Sequence, residues 1–247
     1  PRRRLEEDQR VLRGLEPRDH EDQALARAEA DPAPQVLPLP GARGGGPGDA
    51  VGDHDGGRVP EEALPAPTER GAPGIAATFA GLKRDGGHAI LDLGPAAGSN
   101  LRLYSGFARW IRIADLLTDP PCGDACAEAF RALPTLPERP YDLVLAWNLL
   151  DRLAPEERPL LIRRLAEVTA PGARLSVVVD ASGDPVAYPL RFTLLDFDRV
   201  SQQAMGPPEP AQPQLMPGDV GRVLEPFEVV RAFTVRLGLR EYVAVRE

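Results

Sequence analysis

Large apolar residues are distributed unevenly along the 247-residue chain. Residues 1–74 contain no Phe, Tyr or Trp and are rich in Pro, Gly, Ala, Arg and acidic residues. Such a composition cannot bury enough apolar surface to offset the entropy lost when a chain becomes ordered. We therefore expect a low-complexity, mostly disordered segment over residues 1–74 and a folded domain over residues 75–247.

From residue 75 onward, short apolar runs alternate with stretches of helical periodicity. The runs that predict strands cover residues 88–93, 110–114, 141–147, 174–179, 227–235 and 241–246. The stretches that predict helices cover residues 75–82, 99–107, 125–133 and 155–168. This order predicts an α/β sheet that is parallel until a C-terminal antiparallel hairpin.

Charge and cysteine content narrow the possible partners. A net charge of −8 argues against non-specific attraction to nucleic acid or to an anionic membrane. Cys122 and Cys126 are too few for a disulfide framework, and without a neighbouring His they make no metal site. No apolar run approaches the roughly 20 residues of a membrane span. We expect a cytoplasmic protein without a metal, and the Arg-rich, Ala-rich and Pro-rich composition indicates a bacterial source.

The loop after the first predicted strand of the domain, DLGPAAGSN, is built to approach a ligand. Gly94 permits a sharp exit from the strand, Gly98 allows close backbone approach, and the helix start offers free N–H groups. Asp92 adds an acceptor for a positively charged or hydroxylated group. The dinucleotide signature G-x-G-x-x-G is absent, because Ala96 replaces its middle glycine.

A second acid, Asp115, ends the next strand about twenty residues later, where a carboxylate can accept both hydroxyls of a ribose. Together the two acids and the glycines describe a nucleoside that carries an amino acid. The alternatives are structural: Asp92 and the glycines could make only a tight turn, and Asp115 could only cap one.

Five stretches resemble the class I S-adenosylmethionine-dependent methyltransferases: ILDLGPAAGSN, RIADL, YDLVLAWNLLDRL, PGARLSVVV and FEVVRAFTVRLGLREYVAVRE. The resemblance covers residues 76–247 and implies a Rossmann-like, doubly wound sheet with S-adenosylmethionine as cofactor. The first loop would hold its methionine part and Asp115 its ribose. The implied cofactor-binding residues are Asp92, Gly94, Pro95, Ala96, Gly98, Asn100, Asp115, Trp147 and Asn148.

The resemblance also implies that the loop after residues 141–147 lines the methyl-transfer site. Asp151 in that loop is the candidate general base, needed only if the acceptor must lose a proton. Trp147 could instead belong to the core, and Asn148 and Asp151 could serve only to start the next helix.

Two departures from the family keep competing hypotheses open. Only about 26 residues separate Asp115 from Tyr141, so the usual third strand is missing or shortened, and no adenine-binding residue is evident. The first hypothesis is methyl transfer to a small molecule recognised by residues 180–226, where aromatic rings either close over it or pack in the core. The second is an inactive methyltransferase-like binding or scaffold module, and the third is a nicotinamide-dependent oxidoreductase.

Overall fold

The computed structural model describes residues 35–37, 64–136, 139–236 and 238–247. The strands are β1 (Gln35–Leu37), β2 (Thr68–Gly71), β3 (His88–Asp92), β4 (Ala108–Ile113), β5 (Tyr141–Trp147), β6 (Thr169–Asp180), β7 (Val186–Ala187), β8 (Leu190–Asp196), β9 (Arg199–Ala204), β10 (Glu209–Pro210), β11 (Phe227–Thr234) and β12 (Leu239–Arg246). The helices are α1 (Pro73–Phe79), α2 (Gly98–Tyr104), α3 (Asp124–Arg131), α4 (Leu149–Arg152), α5 (Arg158–Val168) and α6 (Val220–Val223).

Seven strands form the main sheet in the order β1-β4-β3-β5-β6-β12-β11. Each neighbouring pair is parallel until β12, which runs antiparallel to both β6 and β11. Nearly every residue of β3 and β5 is buried, as expected for strands covered on both faces. The Rossmann-like α/β fold with a C-terminal antiparallel hairpin is confirmed.

The strand order reverses direction between β3 and β5. From β3 the chain moves outward to β4, and it then returns to β5 on the opposite side of β3. Right-handed crossovers in the two directions place their helices on opposite faces of the sheet. The reversal leaves a crevice at the carboxyl ends of β3 and β5, which is the usual ligand position in such sheets.

The predicted loss of the third strand is also confirmed. Between β4 and β5 the described residues form α3 and no strand. The sheet position beyond β4 is taken instead by β1, which pairs in parallel with residues 110–112. The domain boundary at residue 75 stays a prediction: residues 64–74 contribute β2 and the start of α1, and residues 1–34 and 38–63 lie outside the described part.

A smaller antiparallel sheet, β2-β9-β8, joins residues before the main domain to residues 180–226. The buried side chain of Arg70 in β2 pairs with Glu241 in β12. Glu241 also accepts a hydrogen bond of 2.6 Å from the backbone N–H of Gly74. Glycine is required at residue 74, because a Cβ there would lie 2.6 Å from the Cβ of Glu241. These contacts fix β2 beside the C-terminal hairpin.

No helix among the described residues has the length and apolar character needed to cross a membrane.

Candidate functional site

The carboxyl ends of three neighbouring parallel strands, β4, β3 and β5, bring most of the predicted site residues to one edge of the sheet. Asp92 ends β3 and lies in register with Ile113 of β4 and Leu145 of β5. Asp115 follows β4, and the segment of Trp147 through Asp151 follows β5. The structure therefore groups these residues as the parallel topology requires.

Asp92 is 1% exposed and accepts hydrogen bonds on both of its carboxylate oxygens. Oδ1 accepts from the backbone N–H of Gly94 at 2.9 Å and from Nε1 of Trp147 at 2.6 Å. Oδ2 accepts from the hydroxyl of Tyr104 at 2.8 Å. Burial raises the pKa of Asp92 to about 6, although these hydrogen bonds oppose the shift. Asp92 thus ties together the first loop, α2 and the end of β5.

Trp147 ends β5 in a left-handed backbone conformation, with φ of 50°, which is uncommon for a bulky residue. Its ring is buried and stacks on Phe192 of β8, with centroids 5.3 Å apart and an interplanar angle of 2°. A Cβ on Gly94 would lie 2.9 Å from both Cδ1 and Nε1 of this indole. Glycine is therefore required at residue 94 to make room for the indole.

The rest of the first loop is partly open. Gly94 and Pro95 are buried, whereas Ala96 and Gly98 are exposed, and a Cβ added to Gly98 would meet no atom within 4 Å. Ser99, in the first turn of α2, has a buried Oγ with no hydrogen-bond partner among the described residues. The loop therefore has open space at Gly98 and, beneath it, a buried hydroxyl without a partner among the described residues.

Asn100 is buried and holds β8 against α2. Its Oδ1 accepts a hydrogen bond of 2.7 Å from the backbone N–H of Leu194, and its Nδ2 donates one of 3.3 Å to the carbonyl of Phe192. In this structure the amide therefore anchors β8. A role for Asn100 toward a cofactor stays a prediction.

Asp115 is exposed at the start of the loop after β4. Its Oδ1 accepts from the backbone N–H groups of Leu117 and Thr118, both at 3.0 Å, and its Oδ2 accepts from Thr118 Oγ1 at 2.6 Å. The carboxylate shapes the turn, which is the structural role given above as the alternative for Asp115. It also remains open to solvent and can accept further hydrogen bonds from a ligand hydroxyl.

Asn148 follows Trp147 and is 6% exposed, and its Oδ1 is buried without a hydrogen-bond partner among the described residues. It is the N-cap of α4, yet its side chain makes no capping hydrogen bond. Because buried polar atoms are normally paired, this oxygen is available to a ligand donor.

Asp151 in α4 is the acid that faces open space. It lines a cavity of about 220 Å³ together with Asp180, Asp184, the end of β7 and the segment that follows β10. It also lines a second cavity of about 270 Å³, which reaches the loop of Thr118 through Cys122 after β4. The two cavities share Asp151, so a cleft runs along the carboxyl ends of β4, β5 and β6.

The environment of Asp151 makes it a proton acceptor near neutral pH. Its Oδ2 accepts one hydrogen bond, 2.8 Å from the backbone N–H of Asp180. Burial raises the pKa of Asp151 to about 7, and the neighbouring charge of Asp180 adds to this rise. Arg158, whose guanidinium donates to the carbonyls of Leu150 and Leu153, opposes it.

Sequence reasoning missed three partners of the predicted residues: Tyr104, Phe192 and Asp180. Tyr104 stands four residues after Asn100, so the helical spacing of α2 was a usable signal that it shares a face with the loop. Phe192 lies 45 residues after Trp147 and in a different sheet, and no local pattern reveals that pairing. The Phe192 ring packs in the core, whereas Tyr188 is exposed.

The described residues contain no group of three or more His, Cys, Asp or Glu side chains arranged to hold a metal ion. Cys126 is buried with its Sγ 3.1 Å from the carbonyl of Pro121, and Cys122 is exposed.

Comparisons with solved structures return methyltransferases. An S-adenosylmethionine-dependent methyltransferase from Mesorhizobium loti is 16% identical with a TM-score of 0.44, over 70% of this chain and 96% of that one. A 1,6-didemethyltoxoflavin-N1-methyltransferase from Burkholderia thailandensis is 14% identical with a TM-score of 0.40, over 70% and 76%. The CcbJ methyltransferase from Streptomyces caelestis is 15% identical with a TM-score of 0.42, over 70% and 94%. No protein-family model and no curated protein matches the chain.

Similarity at this level carries no argument about the site or its chemistry. The fold is assigned from the sheet itself, which has parallel strands on both sides of β3 and a single reversed strand, β12. This is the Rossmann-like sheet with one reversed strand near the C-terminus that the sequence resemblance implied.

Proposed function

We propose that this chain binds S-adenosylmethionine at the carboxyl edge of the sheet and transfers its methyl group to a small-molecule acceptor. One observation carries the proposal: an acid-and-glycine loop and an exposed strand-end acid lie side by side at the strand-order reversal of this fold. The loop begins at Asp92 and Gly94 after β3, and the acid is Asp115 after β4. We further propose a cytoplasmic protein, as its low cysteine content favours, and a bacterial one, as its Arg-rich, Ala-rich and Pro-rich composition favours.

The residues present fit the cofactor. Asp115 has an exposed carboxylate for ribose hydroxyls, and Gly98 leaves open space beside the loop. Two buried polar atoms of the described chain, Ser99 Oγ and Asn148 Oδ1, have no partner and can take hydrogen bonds from a bound ligand. We assign Pro95 and Ala96 to the wall of the same loop.

The bound cofactor would supply an electrophilic methyl carbon on a sulfonium, so the protein contributes mainly alignment and proton handling. Asp151 lines the cleft and has a pKa of about 7, which suits a base that accepts a proton from the acceptor at neutral pH. The exposed carboxylate of Asp184 at the rim favours an acceptor that carries positive charge or hydroxyl groups, whereas Glu209 already pairs with Arg152. Each cavity is below the roughly 300–1,000 Å³ of typical ligand pockets, so the cleft that they share at Asp151 suits a small acceptor.

The inactive binding or scaffold module remains the second candidate, and one observation favours it. Every donor of the Asp92 carboxylate comes from within the chain, and the Trp147 indole covers Gly94. A scaffold that had lost its ligand could fill its first loop in this way.

Calorimetric titration of the full chain with S-adenosylmethionine, S-adenosylhomocysteine and NADH separates the three hypotheses. We expect saturable one-site binding of both adenosyl compounds and none of NADH. Absence of binding by a chain that is folded by circular dichroism would favour the scaffold, and binding of NADH alone would favour the oxidoreductase.

A further inference from the structure

The crevice at the strand-order reversal is occupied by one of the chain's own side chains. The reversal lies between β3 and β5, and the Trp147 indole extends from the end of β5 to the loop after β3. The edge of the indole lies against Gly94, because a Cβ added to this glycine would be only 2.9 Å from Cδ1 and Nε1 of Trp147. The side chain thus lies over the part of the loop that the proposed function assigns to the amino-acid end of the cofactor.

The indole also uses the hydrogen-bonding position that such a ligand needs. Its Nε1–H donates to Asp92 Oδ1 at 2.6 Å, and that oxygen already accepts from the Gly94 N–H. An ammonium group is a stronger donor to a carboxylate than a neutral indole N–H. A ligand ammonium can therefore replace the indole on Asp92 with a gain in hydrogen-bond strength.

The backbone and the side-chain contacts of Trp147 show what holds the indole in this position. Trp147 has the sole positive φ outside glycine in the described chain, a strained conformation that persists only where its surroundings impose it. Those surroundings are Asp92 on one edge of the indole and the Phe192 ring on its face. Phe192 lies in β8, which Asn100 fastens to α2. Loss of the contacts with Asp92 and Phe192 would free the indole to leave this position.

We propose that Trp147 is a closing element over the first loop, and that cofactor binding requires its indole to leave Asp92 and Gly94. This inference rests on the proposed function, because the ligand that displaces the indole is the cofactor's amino-acid end. Because only open chains bind the cofactor, the apparent affinity is the intrinsic affinity multiplied by the fraction of chains that are open.

The chain holds two tryptophans, which permits a direct test. Trp110 lies in β4, away from the crevice, so Trp110→Phe leaves Trp147 as the single fluorescent indole. We expect saturation with S-adenosylhomocysteine to shift the emission of this variant to longer wavelength, as the buried indole meets water. The matched Trp147→Phe variant, which reports only Trp110, should show no such shift.

The same variants should differ in affinity. Phe has no N–H to compete for Asp92, so Trp147→Phe should bind S-adenosylhomocysteine about tenfold or more tightly than wild type, if the open form is a tenth or less of the population. Phe192→Leu, which removes the stacking partner and leaves Asp92 and Gly94 intact, should change affinity in the same direction. It keeps the test available if Trp147→Phe fails to fold.

An unchanged Trp147 emission at saturation, or equal or weaker binding by both variants, would overturn the closure while leaving the proposed function in place. Binding by the variants and not by wild type would support it most strongly. Folded chains that bind S-adenosylhomocysteine in no form would overturn the proposed function and the closure together.

Discussion

Asp92 and Asp151 follow neighbouring strands of one sheet, and burial raises the pKa of both, yet their surroundings differ. Asp92 accepts three hydrogen bonds from Gly94, Tyr104 and Trp147. Asp151 accepts one, from the Asp180 backbone, and lines two cavities. Burial of an acid is thus no guide to its role; the source of its hydrogen bonds is. Asp92 stabilises the closed crevice, whereas Asp151 has capacity left for a substrate.

The largest expected effect is on turnover by Asp151→Asn. If Asp151 takes the acceptor's proton, methyl transfer should fall by roughly 10²–10⁴-fold, while affinity for S-adenosylhomocysteine stays within about twofold of wild type. The assay is release of S-adenosylhomocysteine with a panel of amines, phenols and catechols. Asp196→Asn, at the exposed end of β8 and outside both cavities, is the matched control and should keep full activity. Equal activity of both variants would remove Asp151 from the chemistry.

The free energy of unfolding should depend more on Asp92 than on Asp151, the opposite of the order expected for turnover. Asp92→Ala leaves the buried Trp147 N–H and Tyr104 hydroxyl without acceptors, and should lower the free energy of unfolding by roughly 3–5 kcal/mol. Asp151→Ala leaves one backbone donor, the N–H of Asp180, without its acceptor and should lower the free energy of unfolding by about 1 kcal/mol. Urea denaturation at pH 5 makes the comparison below both folded-state pKa values, where both acids are protonated in the fold and the linkage of their ionisation to stability is the same. Equal losses would contradict the distinction.

The pH dependence of stability should separate the acids as well. A carboxyl whose folded pKa is raised stabilises the fold fully below its ordinary value of 3.8, and this contribution is lost as pH rises through the folded pKa. The loss should extend to about pH 6 for Asp92 and about pH 7 for Asp151. Asp151→Asn should therefore gain on wild type by on the order of 4 kcal/mol between pH 4 and pH 8. Parallel stability curves for the two chains would contradict the raised pKa.

The smallest effect is expected at Asp115. Loss of a charged hydrogen bond to a ribose hydroxyl should weaken S-adenosylhomocysteine binding about tenfold in Asp115→Ala. Thr118→Ala removes only the 2.6 Å hydrogen bond within the turn and should leave the affinity nearly unchanged. This variant therefore distinguishes an effect on the turn from the loss of a contact with the ligand. Calorimetry measures both, and equal weakening would assign Asp115 to the turn alone.

The sheet was predictable because its strands are continuous apolar runs that the flanking glycines and prolines delimit. The positions of Asp92, Asp115 and Asp151 at or after strand ends were predictable too, since strand ends are visible in such a pattern. The closed crevice was not predictable. It depends on Phe192, in a different sheet and 45 residues from Trp147, and on a backbone φ at Trp147 that no sequence pattern indicates. The edge strand β1 was not predicted for a similar reason, because the residues that pair between β1 and β4 are more than 70 positions apart in the sequence.

The most direct test of the central claim is a crystal structure of the full chain with S-adenosylhomocysteine. The account predicts the ligand along the carboxyl edge of β3, β4 and β5, with its ribose hydroxyls on Asp115 and its amino-acid end at the loop of Gly94 through Gly98. A ligand bound elsewhere on the chain, with this edge unchanged, would contradict it.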